Sequence, residues 1–135
     1  MLNDECWMTS GEGRKVERDG KGDLRDRTKA FALRIIRMYA ILPKKAEAQV
    51  LGKQLLRSGT SVGAHYREAC RARSRAEFVS KVEGGLQELA ETVYWLELLS
   101  EGGLLPDGQF AELRAEADQL TAILVASAKT AKRYQ

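Results

Sequence analysis

The chain has 135 residues, which is one domain's worth of material, and its 22 Lys and Arg against 19 Asp and Glu leave a formal charge of +3. With 44% hydrophobic and 30% charged residues, it falls outside the disordered, collagen-like and membrane-spanning classes. Two prolines and 7% aromatic residues, beside abundant Ala, Leu, Glu, Arg and Lys, favour helix.

Residues 1–22 read as a flexible polar leader, with four glycines, mixed charges and only Trp7 and Met8 as large apolar groups. The segment has no apolar core, so it does not read as a signal peptide, and no stretch approaches the ~20 apolar residues that span a bilayer. The cytoplasm is the expected location, and Cys6 and Cys70 are expected as buried or idle thiols there.

From Leu24 onward the pattern changes. Leu24, Thr28, Phe31, Ile35, Met38 and Leu42 recur every three or four residues, the signature of one helical face, and Pro43 stops it. This predicts a helix over about 23–42. A second seam, Ala48, Leu51, Leu55, Ser58, Val62, His65 and Ala69, predicts a long helix over about 46–72. Its interior contains Gly52, Gly59 and Gly63, each costing about 1 kcal/mol relative to alanine. Either a neighbouring backbone comes close there, or the helix kinks at Gly59.

Ser74 with Glu77 forms a capping-box signature. It opens a third helix, over about 75–101, with Phe78, Val82, Gly85, Leu89, Thr92, Leu96 and Leu99 as its seam and Gly102-Gly103 as its end. Pro106-Asp107 starts a fourth, over about 107–132, on Phe110, Leu113, Ala117, Leu120, Leu124, Ala128 and Ala131. Four such helices joined by short turns predict an all-α fold over residues 23–133, an antiparallel up-down-up-down four-helix bundle. Ile36 and Tyr39 on the first helix, and Trp95 and Leu98 on the third, widen the apolar stripes beyond one seam. That width suggests a second buried surface and self-association, with a broad monomer core as the alternative.

The small net charge hides a division by helix. Residues 44–81 hold nine basic and three acidic side chains, whereas residues 82–120 hold nine acidic ones and a single Arg114. On the second helix Lys53, Arg57, Thr60, Ala64, Arg67 and Arg71 form a row about 200° from the apolar seam. Arg73 and Arg75 extend it into the turn, with Tyr66 nearby and Arg25 and Arg27 in support. Such a row contacts phosphate by charge-assisted hydrogen bonds. It serves equally as a solvated face, or as the basic half of a head-to-tail subunit contact.

Catalytic and metal chemistry find little support. The one histidine, His65, lies near Glu68, but a di-iron bundle needs two Glu-x-x-His units and further carboxylates. Cys6 and Cys70 lack metal-ligand spacing, and Cys70 lies about 140° round the helix from His65, too far for a dyad. Glu88 and Glu91 read as a solvated acidic face. Gly84-Gly85 lacks the preceding strand and the following Lys-Ser/Thr of a phosphate loop. No cofactor and no enzymatic activity are expected.

The order of motifs resembles a known family. Asp23-Leu24-Arg25, Lys29-Ala30-Phe31, the run from Gln54 to Ala64, Tyr66-Arg67-Glu68-Ala69, Ser74 to Phe78, Glu91 to Leu96 and Ala122 to Lys129 are similar to the bacterial 23S rRNA intervening-sequence proteins. His65 stands where that family usually has Asn. Members are encoded within rRNA intervening sequences or as free-standing genes, so the family name describes gene location. Their fold is similar to that of the accessory proteins of diversity-generating retroelements, which form homopentameric barrels and bind nucleic acid and a reverse transcriptase.

The resemblance implies a homopentamer with a basic surface. The expected function is therefore a non-enzymatic oligomer binding RNA or DNA through Lys53, Arg57, Arg67, Arg71, Arg73, Arg75, Arg25 and Arg27. The alternative is a protein-protein scaffold or reverse-transcriptase accessory factor whose charges pair subunits or partners.

Overall fold

The structure is a computed structural model and describes residues 23–133. The expected leader, residues 1–22, lies outside them, as does Cys6. Four helices follow in order: α1 (Leu24–Ala40), α2 (Ala46–Cys70), α3 (Arg75–Glu101) and α4 (Asp107–Arg133). Among the described residues there is no strand.

Local chemistry sets the helix ends. The Asp23 carboxylate accepts from the Asp26 amide at 3.0 Å and so satisfies an open N–H at the start of α1. Helix α1 stops at Ala40. The amides of Ile41 and Leu42 reach back to Met38 and Tyr39 before Pro43 forbids continuation. Tyr39 donates through its hydroxyl to Gln49 Oε1, and Gln49 Nε2 donates to the Pro43 carbonyl at 2.9 Å, fastening this turn.

At the start of α3 the expected capping box forms: the Glu77 amide donates to Ser74 Oγ at 3.0 Å. The Glu77 carboxylate reaches one residue further back than the usual box and takes the Arg73 amide. Gly102 caps α3, and Gly103, at φ +76°, makes the left-handed turn that an L side chain resists.

Contacts between the helices fix their directions. Gly59 of α2 meets Ile35 of α1, while Gly63 meets Thr28. Ser58 faces Thr92 and Glu68 faces Lys81 between α2 and α3. Glu97 meets Arg114, and Glu83 meets Lys132, between α3 and α4. Each pair is antiparallel, giving the up-down-up-down bundle. Sequential helices pack side by side and α4 returns to α1, so α1 and α3 occupy one diagonal and α2 and α4 the other.

The seam residues of α1 and α3 are all buried, as are those of α4 from Leu113 onward. Helix α2 departs at two positions. Leu51 and His65 are only half-buried, and Tyr66 takes a core place instead, 4% exposed. Tyr66 is therefore core, which corrects its expected availability beside the basic row. The Cys70 expectation is corrected too: its half-buried sulfur is disulfide-bonded and not an idle thiol.

The glycines of α2 mark close approach along an unbroken helix. A Cβ on Gly52 would lie 2.6 Å from Leu42 Cδ1, and one on Gly59 would lie 2.8 Å from Ile35 Cγ1. Both distances are shorter than carbon atoms tolerate, so the helix-propensity cost of glycine is offset by contact between α1 and α2.

Candidate nucleic-acid interface

The basic row on α2 does face solvent: Lys53, Arg57, Arg67 and Arg71 are all exposed, and Ala64 between them is exposed as well. The reason is periodicity. Residues 53, 60, 64, 67 and 71 fall within a narrow arc of the helix opposite Leu55, Val62 and Ala69, which enter the core.

The eight candidate residues separate by what they touch. Lys53, Arg67 and Arg71 form no ion pair or hydrogen bond through their side chains among the described residues, so their full charge is presented to solvent. The Arg73 side chain, 90% exposed, makes only a long contact to Glu77 at 3.8 Å, across the start of α3. Arg25 and Arg75 are half-buried and engaged within the fold.

Arg57 and Arg27 are held internally, which the sequence row concealed. Arg57 Nη2 lies 2.7 Å from Glu91 Oε1 and 3.1 Å from Glu88 Oε1, so one guanidinium spans two carboxylates of α3. Its pKa is raised, chiefly by hydrogen bonding to Glu88 and then by that carboxylate's charge. The shorter contact is to Glu91, but Glu88 is the less exposed carboxylate and its field is less screened by water. Arg27 donates to Glu116 at 2.8 Å and to Gln119 at 3.1 Å, joining α1 to α4 with its side chain only 15% exposed.

Glu88 and Glu91 are thus pairing partners and not merely a solvated acidic face. Glu88 also lies 3.8 Å from His65 Nε2, while His65 Nδ1 is buried without a hydrogen-bond partner, packed where a Cβ on Gly84 would come within 3.0 Å. Gly84 lets α3 pass the imidazole. The i,i+3 carboxylate spacing signalled a shared face, but only the register of α2 against α3 reveals that Arg57 lies between them.

The second arginine with a raised pKa, Arg114, is held by Asp118 on its own helix and by Glu97 on α3. Because these folded-state pKa values lie above the ordinary arginine value, the stability linked to the arginine proton is fully present at neutral pH, where the partner carboxylates are ionised. It is lost only as strong alkali removes the proton. Titration of arginine therefore switches nothing between pH 5 and 9.

Among the described residues no group of three or more His, Cys, Asp or Glu side chains can hold a metal ion. No helix among them is long and apolar enough to cross a membrane.

The profile of the family described as 23S rRNA-intervening sequence protein matches residues 22–126, which include all of α1, α2 and α3 and most of α4. The chain belongs to this family. A solved structure supports the assignment at the level of fold. It is the crystal structure of a protein of unknown function from the S23 ribosomal protein family of Bacteroides thetaiotaomicron VPI-5482. That protein is 38% identical, with a TM-score of 0.74, over 78% of this chain and 97% of the other. Comparison with curated proteins finds no match. Membership of the 23S rRNA-intervening sequence protein family agrees with the resemblance carried by Gln54–Ala64 and Tyr66–Ala69, which lie on the helix that bears the basic row.

Proposed function

We propose that this member of the 23S rRNA-intervening sequence protein family is a cytoplasmic, non-enzymatic homo-oligomer that binds nucleic acid, structured RNA in preference to DNA, through the outer face of α2. The resemblance to ring-forming accessory proteins favours a pentamer. The observation that carries the reading is the set of unpaired cations: Lys53, Arg67 and Arg71 share one arc of an exposed helix and spend no charge inside the fold. Arg73 adds charge at the end of the row. Arg57, Arg27, Arg25 and Arg75 support the surface but are engaged within the bundle.

Three or four phosphate contacts give a log-log salt slope of roughly −2 to −4. The test is RNA binding measured by fluorescence anisotropy between about 50 and 200 mM salt. Arg67→Gln with Arg71→Gln is expected to flatten the slope by about 2 units, whereas Arg57→Gln leaves it nearly unchanged. A slope that is already flat in the wild type, or equal losses from all three arginines, overturns the assignment of the free cations.

A second reading is supported by the paired arginines. Arg57 and Arg27 join helices within one chain, and the same charge pairing between chains is what a protein-protein scaffold or a reverse-transcriptase accessory factor would use. In that case, charge reversal at Arg67 and Arg71 changes assembly or partner capture and leaves RNA affinity where it was.

A further inference from the structure

We infer that Cys70 is bonded to Cys6 and that this bond is a redox-controlled tether: oxidised, it holds the acidic segment around Cys6 against the end of the basic row, and reduced, it leaves the row open to phosphate. The inference rests on the phosphate reading proposed above and deepens it by naming what regulates the site.

The bond follows from arithmetic and topology. Cys70 is disulfide-bonded, and the sequence holds only two cysteines, so Cys6 is its partner within the chain. Cys70 lies two helical turns beyond Gly63 on the same side of α2, the side that meets Thr28 near the start of α1. It therefore stands at the end of the bundle where residues 1–22 join α1. The chain between Cys6 and Asp23 can extend to roughly 55 Å, ample to return to that end.

Covalent connectivity then places the charges, whatever path the intervening chain takes. Arg71 follows Cys70 and Arg67 stands about one turn before it, while Asp4 and Glu5 precede Cys6. Disulfide-linked Cα atoms lie about 6 Å apart and consecutive ones about 3.8 Å, so Glu5 is held within about 14 Å of Arg71, Cα to Cα. Extended glutamate and arginine side chains cover most of that distance. Residues 1–12 hold Asp4, Glu5 and Glu12 and no Lys or Arg. Arg67 and Arg71 are exposed with no internal partner among the described residues, and Arg73 has only its long contact to Glu77. The tethered carboxylates meet these guanidiniums at the high effective concentration that a short link gives. An RNA phosphate must displace them, and fewer counterions are released when it does.

In the cytoplasm proposed above, thiols are kept reduced by the small-thiol pool, so a bond of this kind forms and breaks with redox state. Cys70 is half-buried, open enough for exchange. A small-molecule disulfide such as oxidised glutathione is the oxidant. One cysteine thiolate attacks it and expels a glutathione thiolate, and the second cysteine attacks the mixed disulfide and expels the other. Two protein thiols give up two protons and two electrons, and the oxidant becomes two thiols. Excess reduced glutathione runs the exchange backwards.

The experiment uses the full chain, equilibrated with oxidised or with reduced glutathione, and reads two things separately. Alkylation followed by intact mass and peptide mapping counts thiols and identifies the bond. Fluorescence anisotropy with the RNA used above, at about 100 mM salt, reads binding. The oxidised chain is expected to have the mass of one chain, no free thiol and a linked Cys6–Cys70 peptide. It is expected to bind RNA about fivefold more weakly than the reduced chain, with a flatter salt slope. Cys6→Ser, checked by mass to carry no glutathione, is expected to bind like the reduced chain in both buffers. Asp4→Asn with Glu5→Gln is expected to form the bond and lose the redox difference. Free thiols after oxidation, or a bond between two chains, overturn the Cys6–Cys70 assignment. A bond with equal affinity in both states, or a redox difference that survives Asp4→Asn with Glu5→Gln, overturns the acidic tether. RNA bound by neither form overturns the phosphate reading and the switch with it, whereas the thiol count still decides the bond.

Discussion

Helix α1 has two edges, and they are joined to their neighbours by different means. Toward α2 the contact is short-range and steric: Gly52, Gly59 and Gly63 bring the backbone of α2 under the side chains of Tyr39, Leu42, Ile35 and Thr28. Toward α4 the helices are bridged by long side chains, Arg27 to Glu116 and Arg34 to Glu112, and a groove remains open at one end. One edge is specified by what is missing from glycine, the other by charge at arm's length. A close seam cannot give without strain, whereas a bridged seam can open, so α1 is rigid on one side and adaptable on the other.

The largest effect is expected at the glycine edge. Gly59→Val places a branched side chain where a single Cβ already falls 2.8 Å from Ile35 Cγ1. Overpacking of this kind costs roughly 2–3 kcal/mol, less the fraction of a kcal/mol that leaving glycine gains in helix propensity. A thermal melt should show Tm lowered by about 10 °C. A variant as stable as the wild type would mean that α1 and α2 are not in close contact.

At the other edge, Arg27→Ala removes a partly buried guanidinium that serves Glu116 and Gln119 together. The expected loss is about 1 kcal/mol, and smaller in high salt, because Glu116 is 21% exposed and recovers some hydration when its partner leaves. Denaturant midpoints at low and high ionic strength check it. A loss as large as that of Gly59→Val would erase the distinction between the two edges.

This contrast also explains what the sequence conveyed. Seams built on period, such as Leu24-Thr28-Phe31-Ile35-Met38, were readable because a buried helical face needs the same residue class every three or four positions. The close crossing was readable too, since three glycines inside one helix have few other uses. The pairing of charges was not. Whether Arg57 is a free cation or a link between Glu88 and Glu91 depends on the register of two helices 31 and 34 residues apart in sequence, and no local pattern encodes it. Tyr66 was misplaced for a related reason. It neighbours the half-buried His65 in sequence, and a rotation of one residue about the helix decides which of the two enters the core.

The smallest effect is expected at Arg34. Its guanidinium lies 3.6 Å from Glu112, a carboxylate 77% exposed, so water and salt screen most of the attraction. Arg34→Ala is therefore expected to change stability by less than about 0.5 kcal/mol, with no resolvable dependence on ionic strength. Melting curves at low and high salt that coincide with those of the wild type check it, whereas a loss as large as that of Arg27→Ala would mean that the exposed pair and the partly buried one hold α1 to α4 equally.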